Sequence, residues 1–353
     1  MIKNVLLVGN YPPPFGGISQ HVALLHELLR NKKIESCVID VSNSKEKINS
    51  GVIYSKSKLK LFFNIILSCR KLDIIHIHTN GHNFKSWLLI LVCGLLSRLY
   101  SVPSVVTIHS GLSPAYISHM TTMKKIFLLK VLEWYSRVIA VNSKIKDALI
   151  INGIKNEKIE IISAYLGLLS ESKIPENDHL KMFVEVRKPL LASIVAFQPE
   201  YGINLLYSLM QNLIKKHPNA GLVIICSGEG YREMQEQIDK KKLGDCICLV
   251  FDVESANVYY ILKKSTLFLR ATDFDGDAIS VREALELGVP VIASRTDFRP
   301  EGVLTFKIGD IEDLSSKVDY ALNSYERLKK NEYAQDINNF GKILLVYESI
   351  RRK

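Results

Sequence analysis

Residues 265–294 read STLFLRATDFDGDAISVREALELGVPVIAS. Thr266 to Leu269 is a short apolar run closed by Arg270, the pattern of a buried parallel strand whose carboxyl end opens into a crevice. Ligands of open α/β sheets bind at such ends. Asp277 is placed to cap a helix over Ala278 to Leu287, with Gly288 past its end and Pro290 preventing continuation. Ile279 and Glu283 then share one helix face, a turn apart. Strand, acidic glycine-containing turn and helix start together present backbone N–H groups and a positive dipole end to an anion, so a phosphorylated ligand is the expected guest.

The same alternation extends in both directions. Asn4 to Val8, Ile74 to His78, Val105 to His109 and Val138 to Val141 are mainly apolar runs separated by longer helical stretches. A second series follows at Leu190 to Val195, Gly221 to Ser227, Ile247 to Phe251, Thr266 to Arg270 and Pro290 to Ala293. Between the two series lies a polar, proline-broken region from Ser170 to Lys188 that reads as a linker with a short helix. The chain of 353 residues is thus expected to form two Rossmann-like α/β domains, 1–170 and 189–335, joined by a linker at 171–188. A terminal segment, 336–353, carries Phe340, Ile343, Leu344 and Tyr347 at helical spacing. There are no internal repeats or low-complexity tracts.

Charge and cysteine usage narrow the function. The formal net charge of +10 is concentrated near the amino terminus: residues 51–150 hold 13 basic and 3 acidic side chains, interleaved with aromatic and aliphatic ones. That composition suits an anionic membrane face or a lipid phosphate. No nucleic-acid-binding module accompanies it, so nucleic acid is not an expected partner. Cys37, Cys69, Cys93, Cys226, Cys246 and Cys248 are dispersed without a paired framework, which implies a reduced, cytoplasmic setting, peripheral at the membrane's inner face if the basic region docks there. The first residues read as a strand with no basic-then-apolar leader pattern, so export is not expected. Its longest apolar run, Trp87 to Leu96, is half the roughly 20 residues a membrane span requires and reads as a buried or interface-lying helix.

Six motifs in order resemble those of glycosyltransferase family 4. They are FGG at Phe15 to Gly17, VTIHSG with His109, RVIAVNSK from Arg137, the PEYG turn from Pro199, CSGEG from Cys226, and an acidic pair, Asp275 and Glu283, with Ala284 next. The family's usual pair is two glutamates with seven residues between. The resemblance covers most of the chain and implies the GT-B arrangement, two Rossmann-like domains facing a central cleft, the second holding a nucleotide diphosphate sugar and the first a saccharide or polyprenyl-linked acceptor. It implies a retaining hexosyltransferase with a terminal helix crossing back to the first domain; the basic, apolar amino-terminal region adds the expectation of a lipid-linked saccharide acceptor, as in cell-surface polysaccharide assembly.

Roles follow residue by residue. Glu283 would accept hydrogen bonds from ribose hydroxyls, Asp275 would touch the donor sugar, and the N–H groups of Gly276, Asp277, Ala278 and Ile279 would face sugar and diphosphate. Gly16 and Gly17, between the first strand and an apparent helix from Ile18 to Leu29, read as a phosphate-approach loop. His109 would project from its strand end toward the cleft and contact the donor sugar. The loop Phe251 to Glu254 would meet the base.

One departure stands out. Where the family commonly carries an Arg and a Lys that neutralise the donor diphosphate, this chain has Ala196 and Tyr201. Arg270, together with Arg282 or Arg299, is the expected substitute. The missing pair also motivates a second reading, a non-catalytic partner subunit that has lost donor binding; a sugar-nucleotide epimerase, which would need no acceptor, is a third. No metal is expected. His76, His78 and His82 lack a Cys, Asp or Glu to complete a coordination set, and in Asp275-Gly276-Asp277 the two acids are already assigned to the acidic pair and the helix cap.

Overall fold

The computed structural model describes residues 2–42, 51–54, 72–168, 171–227, 230–329 and 338–351. Cys69, part of the basic region, Gly228 and Glu229 of CSGEG and the first residues of the expected terminal helix lie outside the described residues. The chain divides into two compact units, one of Met1–Leu166 with Asp336–Lys353, the other of Gly167–Gln335.

The first unit holds a seven-stranded sheet built from β1 (Asn4–Gly9), β2 (Glu35–Asp40), β3 (Val52–Tyr54), β4 (Ile74–Thr79), β5 (Ser104–Ile108), β6 (Arg137–Ala140) and β7 (Ile159–Ile161). Its spatial order is β3-β2-β1-β4-β5-β6-β7, with every pair parallel. β4 and β5 are buried at every position, which is why they read as continuous apolar runs broken only by His76, His78 and hydroxyl residues. The helix Asn339–Ile350 belongs to this unit and buries Ile343, Val346 and Tyr347. Its Tyr347 hydroxyl lies 2.6 Å from His76 Nδ1 on β4, and Asn339 Nδ2 donates to the Tyr165 carbonyl at 2.7 Å.

The second unit holds a six-stranded parallel sheet: β8 (Leu190–Val195), β9 (Gly221–Cys226), β10 (Ile247–Phe251), β11 (Leu267–Arg270), β12 (Val291–Ser294) and β13 (Leu304–Phe306), in the order β10-β9-β8-β11-β12-β13. One core packs on each face. On one side Leu206, Tyr207, Met210 and Leu314 cover Leu191, Leu222 and Leu267; on the other Tyr259, Leu262, Val281 and Phe183 cover Ala192, Val223 and Phe268. Phe183 comes from the helix Asp178–Val186, so the polar stretch that precedes β8 is anchored to this unit.

Strand order reverses direction between β1 and β4 in the first sheet and between β8 and β11 in the second. At such a reversal the connections leave to opposite faces and open a crevice at the carboxyl ends. Arg270 closes β11 at one of these points, and the loop after β1 leads to Gly16 and Gly17 at the other.

Candidate functional site

In the second unit the site begins with Arg270. Its Nη1 donates to the Ile194 carbonyl on β8 at 2.8 Å, so the side chain bridges the two strands at the reversal. The rest of the guanidinium turns onto Asp275, with Nη2 to Oδ1 at 2.7 Å and Nε to Oδ2 at 3.1 Å. Arg299 reaches the same carboxylate from the turn after β12, Nη1 to Oδ2 at 2.5 Å, while its Nε holds the Ser294 carbonyl at 2.9 Å. Thr272 Oγ1 adds a fourth bond to Oδ2 at 2.8 Å. Burial alone would favour a neutral Asp275, but Arg270 and then Arg299 outweigh it and hold the carboxyl well below the usual carboxylate range. Two cations against one anion leave the cluster one positive charge in excess.

Tyr201 completes this cluster from below. Its ring lies 5.1 Å from the Arg270 guanidinium carbon, a cation–π stack. The turn carrying Tyr201 is fixed by Gly202, which has φ of +65° and leaves no room for a side chain, since a Cβ there would stand 2.1 Å from the Ala271 carbonyl oxygen. The PEYG turn is thereby pressed against the first residue after β11. Tyr201 stands where a lysine was expected from the resemblance, and it orients an arginine.

The helix starts later than the sequence suggests. It spans Ile279–Glu286 with Ala278 as N-cap and no side-chain cap, so Asp277 is not the capping residue. Its buried carboxylate accepts from Arg282 Nε at 2.7 Å, and Arg282 also lies over the Phe298 ring at 5.8 Å. An ion pair across five residues has taken the acid that local pattern assigned to the cap. Arg282 is therefore matched charge for charge, whereas Arg270 and Arg299 share one acid.

Glu283 sits one turn into the helix, half-buried, and accepts a hydrogen bond from Tyr259 Oη at 3.0 Å. Burial pushes its carboxyl up to about 7, with Tyr259 partly offsetting and Glu286 adding to the rise. Tyr259, Thr272 and Ser294 were not singled out by sequence; each is an ordinary core or strand-end residue by pattern.

The first unit brings its own residues together. Gly16 has extended backbone that any residue adopts, and no described atom lies within 4 Å of a Cβ built on Gly17. Neither dihedral strain nor packing requires glycine at Gly17, and a 15-residue helix, Gly17–Asn31, starts there. His109 follows β5 and is 8% exposed, with His21 at 5.0 Å and His78 at 5.6 Å between ring centroids. His82 Nδ1 pairs with Ser110 Oγ at 2.7 Å, away from that group.

Against known proteins, residues 176–341 match the family of glycosyl transferases group 1, and residues 15–164 match Glycosyltransferase Family 4. An uncharacterized glycosyltransferase of Methanocaldococcus jannaschii is 28% identical over 192 residues, covering 50% of this chain and 46% of its own, so the match spans about half of that relative. The alpha-monoglucosyldiacylglycerol synthase of Acholeplasma laidlawii is 24% identical over 321 residues, 81% of this chain and 79% of that one. Among solved structures, Anabaena HepE in complex with UDP-glucose superposes with a TM-score of 0.73 at 14% identity over 98% of both chains, which shows a shared GT-B fold.

Proposed function

This chain belongs to glycosyltransferase family 4, and from that premise we propose that it is a retaining enzyme moving a sugar from a nucleotide diphosphate sugar to a saccharide or lipid-linked saccharide acceptor, in cell-surface polysaccharide assembly. The observation that carries the reading is the Arg270–Asp275–Arg299 cluster at the carboxyl end of β11, one positive charge in excess, beside the N–H groups of Gly276 to Ile279. A diphosphate leaving group needs such charge, and Ala196 and Tyr201 do not supply it. In the reaction the anomeric C–O bond to phosphate breaks with its electron pair going to the diphosphate. The acceptor hydroxyl oxygen bonds to the same face of that carbon, and its proton passes to the departing phosphate oxygen. Arg270 and Arg299 hold the charge that develops, Glu283 orients the ribose, and the loop at Asp275 fixes the sugar.

No divalent cation is required for this chemistry in our reading, because the arginines and backbone dipoles meet the charge. Turnover lost in a chelator and restored by Mg²⁺ or Mn²⁺ would overturn that part.

Two features support a lipid-linked acceptor at a membrane. A relative bears the name alpha-monoglucosyldiacylglycerol synthase, a glycolipid-forming enzyme by that name. On the helix Thr122–Leu132, Met123 is 81%, Ile126 50% and Phe127 54% exposed, beside Lys124 and Lys130, which suits a helix lying on an anionic surface. No described helix is long and apolar enough to cross a membrane.

The partner-subunit reading draws on Asp275, whose two oxygens already accept four hydrogen bonds and have little capacity left for a sugar. Nucleotide release measured over a panel of nucleotide sugars separates the two. Release with one donor, abolished by Glu283→Ala, establishes the enzyme; no release with any donor and any acceptor favours the partner.

A further inference from the structure

The first unit folds three histidines, distant in sequence, into one buried group. His21 comes from the helix Gly17–Asn31, His78 from β4 and His109 from the residue after β5. They are 2%, 1% and 8% exposed, so His109 is the one nearest to solvent. By the family resemblance it is also the histidine that meets the donor sugar. We infer that His78 is a positioning residue for His109: its ring N–H fixes the His109 tautomer, so that His109 offers the sugar a proton from Nδ1.

The protons can be placed ring by ring. Burial holds all three rings uncharged at neutral pH, so each carries one N–H and one bare nitrogen. His21 Nδ1 lies 2.6 Å from the Ala164 carbonyl oxygen, which can only accept, so the proton is on Nδ1 and Nε2 is bare. His78 Nδ1 and His109 Nε2 stand 3.3 Å apart, and one of the two must donate. Were His109 the donor, the single proton of His78 would sit on its Nε2, a buried atom with no hydrogen-bond partner. An N–H stranded in a protein interior is avoided more strictly than a bare lone pair. With His78 Nδ1 as donor, the two ring atoms of this group that lack partners, His21 Nε2 and His78 Nε2, carry no proton. His109 Nε2 then accepts, which leaves the His109 proton on Nδ1, the ring nitrogen that remains for a ligand.

Neighbours hold these rings in place. His78 stacks on His76 with 4.0 Å between centroids, and His76 is pinned at both nitrogens, Nδ1 with Tyr347 Oη at 2.6 Å and Nε2 with Thr107 Oγ1 at 2.7 Å. His21 meets the His109 ring edge to face at 5.0 Å, and the His109 backbone N–H donates to the Thr79 carbonyl at 3.0 Å. An N–H so fixed donates to a hydroxyl or ether oxygen of a sugar and cannot take up a hydroxyl proton, so His109 serves as a donor and not as a base. Its use on the sugar rests on the transfer reaction proposed above, whereas the tautomer belongs to the first unit alone.

Long-range ¹H–¹⁵N correlation spectra of the full-length protein at neutral pH, with ¹⁵N-labelled histidine, read which nitrogen of each ring holds the proton. His78 and His109 should both carry it on Nδ1. A proton on His109 Nε2 overturns the inference, and this measurement needs no ligand. His78→Asn keeps an amide N–H near the place of Nδ1 and should preserve the His109 tautomer. His78→Phe keeps the ring's bulk without the donor and should let His109 shift toward the Nε2–H form that free histidine prefers in water. Calorimetry gives the second readout. UDP-glucose should bind His78→Phe about tenfold or more weakly than wild type and His78→Asn within about threefold of it, whereas UDP, which lacks the glucose, should bind all three alike. A loss for UDP as large as that for UDP-glucose would show a merely structural role and overturn the positioning. Should His78→Phe not fold, the wild-type spectra decide. A wild-type protein that binds neither nucleotide overturns the sugar contact together with the transfer reading, and the spectra still settle the tautomer.

Discussion

Arg270 grips Asp275 with two parallel hydrogen bonds, of 2.7 and 3.1 Å, where the arginine side chain is 11% and the aspartate 8% exposed. An aspartate so held is first an organiser of cations. Removing its charge strands both Arg270 and Arg299 in a water-poor site, and breaking a buried pair costs about 3–5 kcal/mol. Asp275→Asn should therefore lower the melting temperature as well as turnover, measured by thermal scan and nucleotide release. A residue that only reads a sugar hydroxyl would leave the melting temperature where it was.

The two arginines should differ from the third. Arg270→Ala is expected to raise the donor dissociation constant roughly tenfold or more, read by calorimetry with the sugar nucleotide that supports turnover. Arg270→Lys should recover only part of the affinity, since an ammonium cannot reproduce the two-pronged grip or the stack on Tyr201. An unchanged constant in the alanine variant would remove Arg270 from the donor site.

Arg282 offers the contrast. Its charge is already balanced by Asp277 at 2.7 Å, so the pair presents little net field to a ligand. Removing both members of the pair, Arg282→Met with Asp277→Asn, should change donor affinity less than about threefold, since the local net charge is kept, against the much larger effect expected of Arg299→Met. Equal losses in the two variants would show that Asp277 does not shield Arg282.

Why the sequence disclosed some of this and not the rest is visible in these residues. The strand–turn–helix at 265–294 was legible because Leu267 to Leu269 is buried on both sides and Gly288 stops the helix, both local effects. Two parallel sheets followed from the same signal repeated. The strand β2, exposed or half-buried over its first three residues, and the three-residue edge strands β3, β7 and β13 lacked it. The cap expected at Asp277 gives way because Arg282, five residues on, takes its carboxylate, and local pattern does not rank the two partners. Tyr259 bonds Glu283 across 24 residues, and His21 meets His109 across the first sheet; such pairings exist only once the crossovers are made.

Glu283 should make donor binding depend on pH. Its carboxyl is raised to about 7 by burial, so near neutrality it is only half ionised, and the charged form is the stronger acceptor for a ribose diol. As pH falls below 7 the protonated form grows, and affinity should weaken by up to about tenfold per unit; above 8 it should level off. UDP-glucose is a suitable probe because each of its phosphorus atoms carries an ester and an anhydride linkage and keeps only a strongly acidic oxygen, which does not titrate in this range. The same raised value means that the folded state loses stability as pH climbs from the unfolded carboxyl's range through 7, since the unfolded chain ionises first. A Glu283→Gln variant should bind weakly with no such slope. A wild-type affinity flat from pH 5.5 to 8.5 would exclude the ionised carboxylate from the ribose contact.

The exposed face of Thr122–Leu132 should govern membrane affinity. Met123, Ile126 and Phe127 present apolar area to solvent, flanked by Lys124 and Lys130, and such a helix gains from burying its apolar residues while its lysines meet anionic headgroups. Sedimentation with vesicles containing phosphatidylglycerol should show binding that weakens with salt. Phe127→Ser with Met123→Ser should reduce it about tenfold or more, because each removes roughly 1.5–3 kcal/mol of apolar burial at full insertion. Both residues belong to the first unit and the Arg270 cluster to the second, so turnover on a water-soluble acceptor should be preserved in the double variant. Undiminished sedimentation would assign the helix to another partner and leave the lipid-linked acceptor without its docking surface.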